Sequence, residues 1–219
     1  MKFVLHRQTV VDLCLELSRR GYFAGTGGNI ALRLDERHVA VTPSATDYLE
    51  MDASDVCVLR LADLAVVDGQ RTPSVESGLH ARVLRARPEV QCSIHTHQPT
   101  ASACALLGKE LEVPTELQRL LGRRIPVAGY APSGSNLLAA LLGRRLRPDV
   151  NAYLMRNHGV LCCGRSPDDA LQAVEDLETL ARTHLQRRIA ERAPFVPSLQ
   201  PALWRVSDAL TGHPPHRTR

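Results

Sequence analysis

Aromatic residues are scarce in this chain: one tryptophan, three phenylalanines and four tyrosines among 219 residues. The net charge of +4 (27 basic minus 23 acidic side chains) comes largely from the arginine pairs at 19–20, 123–124, 144–145 and 187–188. No aromatic-rich basic stripe accompanies them, so they read as solvated faces, or as a few cations near an anionic substrate, and not as a nucleic-acid platform. No C-x-x-C is present. The six cysteines lie mostly within apolar runs, the pattern of buried reduced thiols and not of a disulfide framework, which points to the cytoplasm. Long apolar runs are missing too: His6, Arg7 and Asp12 interrupt the first stretch, so neither a signal peptide nor a membrane span is expected. There is no internal repeat and no low-complexity block.

What is present is ordinary for a globular protein, 44% hydrophobic and 23% charged. The length suits one domain with a core of its own, over 1–193, followed by a proline-rich tail at 194–219 that holds five prolines and Trp204. Apolar residues at helical spacing predict a helix over 3–20. NIALRL and HVAVT read as two strands around a turn, and VCVLRL (56–61) with LAVV (64–67) as a second pair. Thr72-Pro73-Ser74 opens a predicted helix that Pro88 closes near residue 87. VQCSIHTH is the next strand, followed by a helix over 99–107. RIPVAGY is a strand, 135–146 a helix, and NAYLMR and GVLCCG are strands flanking Asn157 and His158. Ser166-Pro167-Asp168-Asp169 is a strong helix start: a capping hydroxyl, a first-turn proline and two acids at the positive end of the dipole. That helix should pack across the sheet through Leu171, Val174, Leu177, Ala181, Leu185 and Ile189. From Pro194 onward only 202–210 suits a regular element. Strand runs with helices between some of them predict a mixed sheet covered by helices.

The candidate chemistry centres on histidine. His95 and His97 stand two apart at a strand end, so their side chains point the same way, and His158 follows a later strand. Two adjacent imidazoles and a third from elsewhere form a ligand set for zinc with an open position; unrelated core or surface histidines are the alternative. Glu76 is either a first-turn carboxylate favoured by the helix dipole or a base beside the metal. His80, four residues on, shares its helical face; it is either a supporting partner or a packing residue. Three turns offer backbone N–H groups and hydroxyls to an anion: GTGGN (25–29), TPSA (42–45) and 72–74. GTGGN is not a P-loop, because the Gly-Lys-Ser/Thr ending is absent.

In sequential order, GTGGN, TPSATDY, PSVESGLH, IHTHQPTASACA and RNHGVLCCG followed by an acid-capped helix resemble the class II aldolase/adducin family, over about residues 5–190. The resemblance implies an α/β fold, a mixed three-layer sandwich with a central, mainly antiparallel sheet flanked by helices. It implies that His95, His97 and His158 bind Zn2+ (Mn2+ and Co2+ being alternatives), with Glu76 as acid/base and further ligand. Gly28, Asn29, Ser44, Ala45, Ser74 and Val75 fall where relatives such as L-fuculose-1-phosphate aldolases hold a phosphate. It further implies a homotetramer and a small hydroxy-carbonyl substrate, with no nucleic acid or membrane as partner. Three departures bear on the substrate. The first is Val75 in place of a serine; the second is Ala45 for a glycine together with Ala31 for a serine; the third is the segment 113–126, which is short and carries no tyrosine where the aldolases supply a proton donor. Glu76 argues against the epimerase branch, which has aspartate there. The expected activity is aldol cleavage of a sugar phosphate or a relative through a zinc-stabilised enediolate. A decarboxylase or dehydratase on the same site is the alternative, and a non-catalytic adducin-like module a further one.

Overall fold

The computed structural model describes residues 2–23 and 27–211, so Gly25 and Thr26 of the GTGGN turn lie outside the described residues. An eight-stranded sheet forms the centre. Its strands are β1 (Asn29–Arg33), β2 (His38–Val41), β3 (Cys57–Arg60), β4 (Val66–Asp68), β5 (Cys92–Thr96), β8 (Val127–Ala128), β9 (Ala152–Met155) and β10 (Gly159–Gly164). They run in the order β4-β3-β2-β1-β5-β10-β9-β8, and neighbours are antiparallel except β8 and β9. This is the mixed, mainly antiparallel arrangement expected, flanked by helices on both faces.

Both faces are covered, and the strands separate their side chains accordingly. Ile30, Leu32, Cys92, Ile94, Val160 and Cys162 face one core. That core also takes residues from α1 (Val4–Arg19), α3 (Pro99–Leu107) and α6 (Pro167–Arg192). Ala31, Leu161, Cys163 and Tyr153 face the other, against Leu79, Val83 and Leu84 of α2 (Ser77–Ala86) and Leu138 and Leu142 of α5 (Asn136–Gly143). Two covered faces explain why GVLCCG is buried along its whole length and shows no polar alternation. All six cysteines are buried as free thiols. Among the described residues no helix is long and apolar enough to cross a membrane.

Three sequence expectations need correction. Helix α2 begins at Ser77, not at 72–74; Pro73 instead bridges to Pro43, and Ser74 turns the chain into the helix by accepting the N–H of Ser77. RIPVAGY is broken at Pro126, which has no N–H to give a ladder. β7 (Arg124–Ile125) pairs with β6 (Leu111–Glu112) in a separate ribbon, while β8 joins the main sheet. The buried stripe of α6 is Ala170, Ala173, Val174, Leu177, Glu178, Leu180 and Ala181, rotated from the one expected; Leu171 and Leu185 only border it. The regular element expected over 202–210 is present as α7 (Gln200–Thr211), after two short 3-10 turns, with proline at 194, 197 and 201 shaping the entry to it. Of the remaining short elements, α4 (Gln118–Leu121) precedes β7.

Helix α6 also anchors the chain just beyond the paired histidines. Glu178, 3% exposed, accepts the N–H groups of Thr100 (2.8 Å) and Ala101 (2.9 Å) at the start of α3. Gln98 donates to the Val174 carbonyl at 2.9 Å. A buried carboxylate at a helix N-terminus is favoured by the dipole and by both donors. Glu178→Ala strands two buried N–H groups, so it should cost about 2–5 kcal/mol in urea denaturation of the metal-free chain, with Glu178→Gln milder.

Candidate metal and acid–base site

The pairing of β5 sets the positions. His95 lies opposite Asn29 of β1 and Leu161 of β10, so its ring emerges on the α2 face of the sheet. His97 sits one residue beyond the end of β5, where the two-residue alternation still carries it toward His95; their Nε2 atoms are 3.0 Å apart. His158 comes from the three-residue loop between β9 and β10, whose Asn157 adopts φ 53°, a conformation asparagine tolerates better than most. Its Nε2 lies 3.2 Å from that of His95. The glycine after it is required by space: a Cβ on Gly159 would lie 2.6 Å from the His97 ring and 3.0 Å from the His95 ring.

Glu76 stands at the N-cap of α2 but does not cap it. Its carboxylate turns into the site, 2.9 Å from His158 Nε2 and 3.3 Å from His95 Nε2. The Asn29 amide (2.7 Å) and the Ser133 hydroxyl (2.8 Å) donate to its two oxygens. With 4% exposure, burial works against its charge, but the His158 contact, the His95 ring and these two donors outweigh burial and hold the carboxyl well below its ordinary range. Glu76 is thus the residue before the helix and not one of its first turn, and its side chain makes no capping hydrogen bond.

His95 donates from Nδ1 to the Val160 carbonyl at 2.7 Å, which leaves the Nε2 lone pair facing the cluster. Burial pushes its pKa down to about 3, and His97 is lowered by burial and by His158, so both rings are neutral at physiological pH. Neutral imidazoles with a fixed second nitrogen are what a divalent cation requires. Nitrogens bound tetrahedrally to one zinc at ~2.0–2.1 Å sit about 3.3 Å apart, close to the separations seen. The residues fit a metal: His95, His97 and His158 gather their ligand atoms within 4.8 Å of one another, with Glu76 beside them.

The anion turns are also brought together. Ser44 N–H donates to the Thr72 carbonyl and Ser74 N–H to the Thr42 carbonyl, so 42–45 and 72–75 form one rim leading to Glu76. Ala45 adopts φ 51° in spite of its Cβ. Gly28, at φ 91°, has the Phe23 ring against it, and its carbonyl accepts the Tyr48 hydroxyl at 2.5 Å. Val75 is 64% exposed at the rim. The Asn29 side chain is engaged with Glu76 and His80 (2.7 Å each) and not directed at the rim.

Two contributors escaped the sequence reading. Ser133 lies in the loop between β8 and α5, where its Pro-Ser-Gly-Ser surroundings look like any turn. Ser93, two residues before His95 on the same face, bonds His80 at 2.8 Å. His80 itself is fully buried with both ring nitrogens engaged, the supporting arrangement rather than plain packing.

The Class II Aldolase and Adducin N-terminal domain profile matches residues 8–185. A methylthioribulose-1-phosphate dehydratase of Serratia proteamaculans is 31% identical over 196 residues, covering 84% of this chain and 96% of that protein. A 5-deoxy-D-ribulose 1-phosphate aldolase of Bacillus thuringiensis is 30% identical over 192 residues, covering 87% and 89%. Among solved structures, an L-fuculose 1-phosphate aldolase superposes with a TM-score of 0.79 at 27% identity, covering 86% of this chain and 88% of that one.

If the three imidazoles hold a cation, the chain should bind one divalent ion. His97→Ala should lose most of it in elemental analysis while keeping its circular dichroism, because His97 lies beyond the strand end and outside both cores.

Proposed function

The chain belongs to the Class II Aldolase and Adducin family, and we propose that it is a zinc-dependent lyase acting on a 1-phosphorylated ketose, with manganese or cobalt as alternative ions. The observation that carries this reading is the Glu76 carboxylate, buried and charged, 2.9 Å from His158 Nε2 and 3.3 Å from His95 Nε2. A non-catalytic adducin-like module has no need of three converging imidazoles around a buried carboxylate.

A cation held by His95, His97 and His158 would supply Lewis acidity to the adjacent keto and hydroxyl oxygens of the substrate. Glu76 then has one task, moving a proton between C3 and the oxygen on C4. In aldol cleavage it takes the C4 hydroxyl proton as the C3–C4 bond breaks. The bonding pair passes to C3 to form the enediolate, and Glu76 returns the proton there. Asn29 and Ser133 hold the carboxylate in place for both transfers. The rim of Ser44, Ala45, Ser74 and Val75, with Gly28 and Asn29 behind it, would take the phosphate through hydroxyls and backbone N–H groups. Val75 offers no hydroxyl, which leaves fewer donors than a serine pair would.

The two relatives act, by their names, on ribulose 1-phosphates altered by a deoxy or a methylthio group. The substrate class proposed is therefore a ketopentose 1-phosphate with an apolar far end. A dehydratase is the second reading, favoured by the lack of a tyrosine in 113–126. In that reaction the proton moves the other way: Glu76 removes it from C3, the C4–O bond breaks, and the hydroxyl leaves with the proton as water. We further propose a cytoplasmic homotetramer, for which exposed Leu106, Leu107 and Leu137 offer apolar contact.

Zinc-loaded protein should release dihydroxyacetone phosphate from 5-deoxyribulose 1-phosphate. Loss of water from methylthioribulose 1-phosphate without cleavage would assign the dehydratase instead. Glu76→Gln should retain its metal and lose about 10²–10⁴-fold in turnover. Wild-type turnover by that variant, or no reaction of the wild type with either compound, would overturn the reading.

A further inference from the structure

A line of hydrogen bonds runs behind the site with only one polarity open to it. The Asn29 amide nitrogen donates to Glu76 Oε2 at 2.7 Å. That orientation leaves the Asn29 carbonyl oxygen facing His80 Nε2 at 2.7 Å, and an oxygen can only accept, so Nε2 carries the hydrogen. Burial pushes the His80 pKa down to about 4, which keeps the ring neutral with one hydrogen. Nδ1 is then a bare lone pair and accepts a hydrogen bond from the Ser93 hydroxyl, 2.8 Å away. Ser93, His80 and Asn29 are all buried and come from β5, α2 and β1, the three elements that meet at Glu76.

We propose that His80 is a positioning residue for the acid/base: as the Nε2–H tautomer, with its Nδ1 against the Ser93 hydroxyl, it holds the Asn29 amide toward Glu76. This deepens the role proposed for Glu76 and rests on it. The opposite tautomer would put a lone pair against the Asn29 oxygen. The amide would then gain by rotating half a turn, which brings its oxygen to within hydrogen-bond distance of the carboxylate. Two acceptors at that separation repel, and Glu76 would leave the position between Asn29 and Ser133. Because His80 lies one helical turn after Glu76, the same helix that delivers the carboxylate also delivers the group that orients its donor. A packing role would need only the shape of the ring.

The test has two arms. Nitrogen-15 spectra of histidine-labelled, zinc-loaded protein should show His80 with its hydrogen on Nε2 alone. A hydrogen on Nδ1 in the wild type would overturn the proposal. This arm needs no substrate, so it decides the matter even if neither ketose phosphate turns over. In the second arm, His80→Leu should keep its zinc and its KM and lose about 10–100-fold in kcat, the usual effect of disturbing a group behind a metal site. His80→Gln, which can accept from Ser93 and donate to Asn29, should recover most of that loss. Ser93→Ala, too small a change to unfold the chain, should show an intermediate loss. Wild-type kcat in zinc-loaded Ser93→Ala and His80→Leu, or equal loss in the leucine and glutamine variants, would leave His80 as packing only.

Discussion

Lone pairs on neighbouring imidazoles repel unless a proton or a cation lies among them, and the fold has to hold them at close range all the same. His95 Nε2 is 3.0 Å from that of His97 and 3.2 Å from that of His158, and the His95 ring is fully buried. The antiparallel pairing of β5 between β1 and β10 provides the restraint. It places His95 opposite Asn29, lets His97 follow in the same direction, and brings the β9–β10 loop with His158 across both rings. Gly159 makes the approach feasible, since any side chain there would displace the two rings. Glu178 and Gln98 then tie the chain after His97 to α6, so the cluster is braced from the far face of the sheet as well.

The parts legible in the sequence were those whose cause is local. Period-two alternation put His95 and His97 together, Ser166 and Pro167 marked the start of α6, and Pro99 that of α3. The parts that escaped depend on partners distant in the chain. Thr72-Pro73-Ser74 has the composition of a helix start. It is drawn instead into a bridge with Pro43, which shifts the helix and frees Glu76 from capping duty. RIPVAGY has a strand's pattern, yet its halves pair with different partners on either side of Pro126. Ser133 and Ser93 carry no signal of their own; only the folded chain shows that one meets Glu76 and the other His80. The six-member resemblance in motif order located the site more sharply than any single motif, because each motif alone is common.

Cleavage and dehydration of a 1-phosphorylated ketose differ in which bond at C4 breaks, while the proton travels between the same two atoms. One carboxylate with a fixed pair of donors serves either reaction. That is consistent with relatives named for both activities at nearly equal identity to this chain. On the proposed reading, the choice between them would fall to residues outside the three histidines, at the rim and in 113–126.

On the proposed reading, His95, His97 and His158 are preassembled to hold one divalent cation beside Glu76. X-ray absorption at the zinc edge of the zinc-loaded protein addresses it most directly. The account predicts imidazole scattering from three ligands at ~2.0–2.1 Å, with the remaining ligation by oxygen. A shell dominated by sulfur, or by oxygen with fewer than three imidazoles, would contradict it.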